Sequence, residues 1–194
     1  MAIKTFTSGE VLTAADTNTY LANSGLTYIT TGTITSAAAS LSINNCFTST
    51  YDNYRIVIGR INLSPASTSL FFRLRAGGTD FTTAVQYWAY TGLQANNTAL
   101  DSNGSADVSM FTGIISTFNT RISAVIMDIY GPQTASTRTF ATVQSIGNNG
   151  NFYSRNGMVA CDNTTSFDGL TFFTDKAGTP IDELTVTVYG YRKP

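Results

Sequence analysis

Histidine is absent from all 194 residues of this chain. That removes the commonest general base, the nucleophile pairs that rely on an imidazole, and the commonest transition-metal ligand. Charge is scarce too: Asp, Glu, Lys and Arg make up 12% of the chain, about half the usual share of roughly 25%. With 11 basic and 12 acidic side chains the net charge is −1. A nucleic-acid partner needs clustered Lys and Arg to displace counterions. The tightest basic groups are Arg73 with Arg75, which alternate with Phe71 on one strand, and Arg192 with Lys193 in a solvated tail, so no nucleic-acid partner is expected. No run approaches the roughly 18 apolar residues of a membrane span, and residues 1–25 lack the basic start and apolar centre of a secretory signal. The expectation is a soluble chain made in a cytosol, with no membrane partner.

Cysteine is nearly missing: Cys46 and Cys161 stand alone, without metal-ligand spacing. A long-loop disulfide and two small core side chains both fit that spacing, and a reducing cytosol favours the second. No cofactor is implied. What fills the chain instead is Ser, Thr and Asn, roughly a third of it, on top of ordinary hydrophobicity. Aromatic residues reach 12%, enough with the β-branched residues to offset chain entropy, so disorder is not expected. A neutral, hydroxyl-rich surface suits extracellular and viral β-proteins, where Thr fits the pleat and Asn and Gly fit the turns.

Helical signal is confined to the start. Thr13 followed by Asp16 has the spacing of a helix N-cap, although Asp is shorter than the usual Glu, which argues against the reciprocal bond. A helix over 14–23, stopped at Ser24-Gly25, is too short to stand alone in water and needs a host surface. From Leu26 the period becomes twofold. Strands are expected at 26–30, 40–43, 55–61, 69–75, 84–93, 108–116, 122–130, 137–146, 152–161, 169–175 and 184–191. Of these, 55–61 is read as central from its mostly continuous apolar run. The 69–75 strand places Leu70, Phe72 and Leu74 on one face against Phe71, Arg73 and Arg75, one face core and the other wet. Residues 95–107, with Asn96-Asn97 and Asn103-Gly104, read as the longest polar loop and a candidate functional tip. Gly147-Asn-Asn-Gly-Asn151 has hairpin chemistry. With no helices between strands to support parallel crossovers, the fold class is all-β: an antiparallel sandwich, jelly-roll-like, over 26–194.

The scattered acids offer two close pairs, Asp162 with Asp168 and Asp101 with Asp107. They allow carboxylate chemistry such as glycoside hydrolysis, but read first as solvating turn residues. Asp101-Ser-Asn-Gly104 lacks the spacing and closing Glu of a calcium loop. The best binding candidate is aromatic. Trp88 and Tyr90 share a strand face beside the polar residues Asn96, Asn97 and Asp101, which together make a candidate sugar-receptor platform. The competing reading packs Trp88 in the core or at a subunit contact.

Phe6, Gly9-Glu-Val-Leu-Thr-Ala-Ala-Asp16 and Asn18 together resemble the N-terminal segment of tailed-bacteriophage virion proteins, notably tail-fibre and other appendage subunits. Asn45-Cys-Phe-Thr-Ser-Thr-Tyr-Asp-Asn-Tyr-Arg-Ile-Val-Ile58, Phe72-Arg-Leu-Arg-Ala-Gly-Gly-Thr-Asp80 and Thr187-Val-Tyr-Gly-Tyr191 resemble stretches of marine phage appendage proteins. The resemblance implies a non-enzymatic virion component. Its residues 1–25 form an attachment arm through Phe6, Val11, Leu12, Tyr20 and Leu21, and its sandwich projects outward. The implied partners are other virion proteins, further copies of the chain in a homo-oligomer, most simply a trimer, and a host surface glycan. A tail-fibre position is expected ahead of capsid decoration, and a cell-surface carbohydrate-binding module is the alternative from another class.

Overall fold

The computed structural model describes residues 7–16, 25–63, 69–94, 97–108, 111, 124–148, 152–174 and 180–193. After the one-turn helix α1 (Ala14–Asp16) come twelve strands among the described residues: β1 (Leu26–Ile34), β2 (Ser40–Ile43), β3 (Asn53–Leu63), β4 (Leu70–Ala76), β5 (Thr79–Asp80), β6 (Gln86–Gln94), β7 (Asn97–Val108), β8 (Ala124–Tyr130), β9 (Thr139–Asn148), β10 (Phe152–Cys161), β11 (Gly169–Thr174) and β12 (Ile181–Tyr191). All pairings are antiparallel. They form an eight-stranded sheet ordered β1-β12-β3-β8-β9-β10-β6-β7 and a four-stranded sheet ordered β2-β11-β4-β5.

The wiring is nested. β1 pairs with β12, β2 with β11, β3 with β8 and β4 with β5. Such a series is one long double ribbon closed at the β4–β5 turn, where Gly77 and Gly78 take positive φ of 58° and 76°. Rolling the ribbon up sets β12 against β3 and β11 against β4. That is jelly-roll connectivity, with two sheets packed face to face. The four remaining strands, β9, β10, β6 and β7, widen the larger sheet beyond β8.

Between the sheets the inward side chains interdigitate. Tyr54, Ile56, Ile58, Val125, Met127, Ile129, Leu184, Val186 and Val188 come from one sheet, and Ile43, Leu70, Phe72, Leu74, Leu170 and Phe172 from the other. Each fully enclosed Phe contributes about 2–3 kcal/mol of burial. Phe111 joins β4 by paired backbone bonds with Phe72 of 3.0 and 3.2 Å, and their rings lie 4.8 Å apart. Cys46 and Cys161 are free and buried, as two core side chains.

β3 is central, between β12 and β8, but it is not buried on both faces. Tyr54, Ile56 and Ile58 point inward while Val57 is exposed; past Gly59 the inward set becomes Ile61 and Leu63. The change of phase falls on Arg60, whose φ is 51°, at a register shift that sets an extra β3 residue against β12. The run looks continuous because the outward Val57 is also apolar, and the bulge then carries the inward phase on to Ile61. The second departure is β7. Residues expected as a polar loop over 95–107 instead form, from Asn97, a strand paired along β6. Strand pairing along one edge overrides the low β-propensity of Asn, Asp, Ser and Gly.

Candidate functional site

Two described regions offer something to a partner: the N-terminal arm and the outer face of the eight-stranded sheet. In the arm, Asp16 N–H donates to Thr13 Oγ1 at 3.1 Å and Thr13 N–H donates to Asp16 Oδ2 at 3.1 Å. The reciprocal bond argued against from the length of Asp is made, because the Thr13 hydroxyl also donates to the same carboxylate at 2.6 Å and draws it in. Thr7 and Glu10 repeat the device: Thr7 N–H donates to Glu10 Oε2 at 3.2 Å, and Glu10 N–H donates to Thr7 O at 3.0 Å across Gly9. Between these two local closures sit Val11 and Leu12, 79% and 49% exposed. Among the described residues the polar groups of Thr7, Glu10, Thr13 and Asp16 are thus bonded locally, and the apolar pair between them faces water. Phe6, Tyr20 and Leu21, and the expected helix beyond Asp16, lie outside the described residues.

On the large sheet, register places outward side chains in rows that cross all eight strands. One row runs Tyr28, Tyr189, Arg55, Asp128, Thr142, Met158, Ala89, Gly104. The next runs Thr31, Thr187, Val57, Ile126, Gln144, Asn156, Thr91, Ser102. These sixteen positions hold two charges, and those are paired: Arg55 Nη2 meets Asp128 Oδ2 at 2.7 Å, with Tyr191 donating its hydroxyl to Oδ1 at 2.7 Å. The Arg55 bond holds the Asp128 carboxyl below the usual range, while burial, and then the bond to Asp128, pushes the Tyr191 phenol up to about 12. Toward β7 the face carries exposed Leu93, Leu100, Ile146, Phe152 and Met158 among Thr91, Ser154 and Asn156.

The aromatic platform expected from Trp88 and Tyr90 is not on that face. Both share the inward side of β6, 7% and 8% exposed, with their rings stacked at 6.0 Å and 9°. Arg155 lies over Tyr90 at 4.3 Å and over Tyr153 at 4.9 Å. Gly92 leaves the room for it: a Cβ there would meet the Arg155 Cγ at 2.8 Å. The core reading of Trp88 is therefore the one observed, because alternation on β6 fixed which residues share a face but not which face turns inward. Asn96 lies outside the described residues. Asn97 opens β7, and Asp101 sits in register with Gly92, so these two of the residues expected at a polar tip belong to a sheet edge.

The acid pairs are also dispersed in role. Asp162 is ion-paired with Arg138, Asp168 Oδ2 accepts from Gly77 N–H at 2.9 Å, and Asp101 and Asp107 both belong to β7. On the outer face of the small sheet, Arg75 is committed to Asp80, Asn44 and Thr171, and Arg73 lies 4.3 Å over the Phe173 ring. Among the described residues no group of three or more Cys, Asp or Glu stands together as a metal site, and no helix is long and apolar enough to cross a membrane. Sequence reasoning missed the outer-face rows, whose members are scattered over eight strands and meet only through register. No protein-family model, curated protein or solved structure matches the chain.

Proposed function

We propose that the chain is a non-enzymatic structural subunit of a tailed-bacteriophage virion, whose residues 1–25 dock on the particle while the jelly roll projects outward as a receptor-facing part of a tail fibre. One observation carries the reading. The arm closes its own hydrogen bonds at Thr7–Glu10 and Thr13–Asp16 and leaves Val11 and Leu12 exposed. A segment that closes local turns on itself and leaves apolar side chains unburied is built to be covered by something else. The two nearly uncharged rows across the middle of the outer face, with Val57, Ile126 and Met158 exposed, support a second contact between copies of the chain, which the appendage resemblance implies is a trimer.

Labelling intact particles with an antibody to the sandwich tests this. Signal at the tail tip supports the fibre position, signal on the capsid lattice replaces it with a decoration role, and no signal on any particle ends the virion reading. Deleting residues 1–25 is expected to abolish incorporation while leaving the oligomer formed by the body intact.

A further inference from the structure

The far end of β9 and β10 holds an open cleft of about 590 Å³, beside the Arg138–Asp162 ion pair. Its size falls in the range of small-molecule sites. The floor is Phe140, 46% exposed on the outer face of β9. Register sets Ala160 beside it on β10, and that small side chain leaves the ring uncovered on one side; Tyr130 is its neighbour on β8. The wall is polar. The Thr139↔Cys161 pairing brings the residues just outside the two strands together, so that Arg138 Nε donates to Asp162 Oδ1. Thr137, Asn163 and Thr164 complete the rim.

These groups are held in place yet keep bonding capacity. Asp162 N–H donates to Val85 O at 2.8 Å, which anchors the backbone. Asn163 Oδ1 accepts from Thr165 N–H at 2.7 Å, so its amide NH₂ is directed away from that turn. Arg138 uses only Nε on Asp162, leaving its terminal nitrogens as donors, and Asp162 retains Oδ2 as an acceptor. The ion pair is more than two-fifths exposed at both ends, and such pairs contribute little to stability. An aromatic face flanked by a fixed carboxylate, a guanidinium and an amide is the chemistry that stacks on the C–H face of a sugar ring while bridging adjacent hydroxyls. One positive and one negative charge cancel, which disfavours phosphate, sulfate and acidic sugars.

The geometry points to this cleft as a binding site for a neutral pyranose unit of a surface glycan, with Phe140 as the stacking platform and Arg138 and Asp162 as the hydroxyl clamp. The inference deepens the receptor-facing reading and takes its biological sense from it. Saturation-transfer NMR on the full chain, with methyl glycosides of glucose, galactose and mannose at millimolar concentration, tests it. Transfer to at least one of them is expected, and Phe140→Ala and Asp162→Asn should each weaken its binding at least tenfold. Ser36→Ala, exposed between β1 and β2 and outside the cleft, should not. If Phe140→Ala lowers the melting temperature, Asp162→Asn, which conserves shape, still decides. No transfer from any of the glycosides, unchanged binding in both cleft variants, or preferential binding of sialic or uronic acid glycosides overturns the proposal. The two readings fail separately: particles labelled at the tail without sugar binding sink only the cleft, and sugar binding without particle labelling sinks only the virion role.

Discussion

Replacing Gly190 by Ala isolates a single packing relation that closes the fold. Gly190 lies on β12 opposite Tyr54, and the ring of Tyr51 rests on it: an added Cβ would stand 2.6 Å from both Tyr51 Cδ atoms. Real carbon atoms do not approach so closely, and β12 cannot retreat because it is paired on both sides. Tyr51 is half-buried and can swing out instead. It would forfeit its edge contact with Tyr54, at 5.9 Å and 75°, worth about 0.5–1.5 kcal/mol, and roughly half of an aromatic side chain's burial, about 1–1.5 kcal/mol. Restricting the unfolded chain returns about 0.4–1 kcal/mol, so Gly190→Ala should cost about 0.5–2.5 kcal/mol net. For a chain of this size that lowers Tm by about 1–10 °C. The decisive measurement is the cycle with Tyr51→Ala. With the ring gone the clash is gone, and the same Gly190→Ala change should become neutral or stabilising by about 0.4–1 kcal/mol. Thermal melts followed by circular dichroism on the four proteins give the coupling. Equal cost of Gly190→Ala in both backgrounds would refute the assignment of that cost to Tyr51.

Three further outcomes follow from buried and hydrogen-bonded groups. The Tyr54 hydroxyl donates to Thr48 O at 2.6 Å and accepts from Thr48 N–H at 2.7 Å, so Tyr54→Phe should cost about 1–2 kcal/mol in urea unfolding with the slope unchanged. Burial pushes the Cys46 thiol up to about 12 and Cys161 up to about 11; a thiol-specific dye at pH 8 should find neither in the native protein and both in denaturant. The Asp128 carboxyl is depressed, so its contribution is present above the ordinary carboxylate range and lost as pH falls through and below it. Tyr191 is raised to about 12, so its contribution is present below pH 10 and lost as pH climbs from 10 to 12. Stability curves of Asp128→Asn and Tyr191→Phe should therefore flatten the acid and the alkaline limb respectively, and an unaltered limb in either variant would contradict the Arg55–Asp128–Tyr191 arrangement.

Strand positions were legible where alternation was local. Ser40–Ile43 and Phe152–Cys161 end where the twofold pattern ends, and the 69–75 strand has its Leu70, Phe72 and Leu74 face buried as expected. The bond from Asp16 N–H to the Thr13 hydroxyl was legible for the same reason, since donor and acceptor lie three residues apart, while the reciprocal bond was not. Legibility failed where a neighbour in space decides. β7 is a strand only because β6 lies beside it, and β3 changes phase at Arg60, a residue type that gives no sign of a left-handed backbone. Trp88 and Tyr90 share a face of β6 whichever side turns in, so whether they formed a surface platform or part of the core was beyond the pattern.

Alone, the sequence determined the class of the molecule. Low charge, abundant Thr, Ser and Asn, and short twofold segments between turns admit antiparallel sheets and little else, because period and propensity act over a few residues. Only the tertiary structure decided that Leu26 pairs with Tyr191, that four strands widen one sheet, and that Phe140, Arg138 and Asp162 share a cleft. Those relations join residues far apart in the chain, and their closure entropy is offset only when the whole ribbon rolls up around its core.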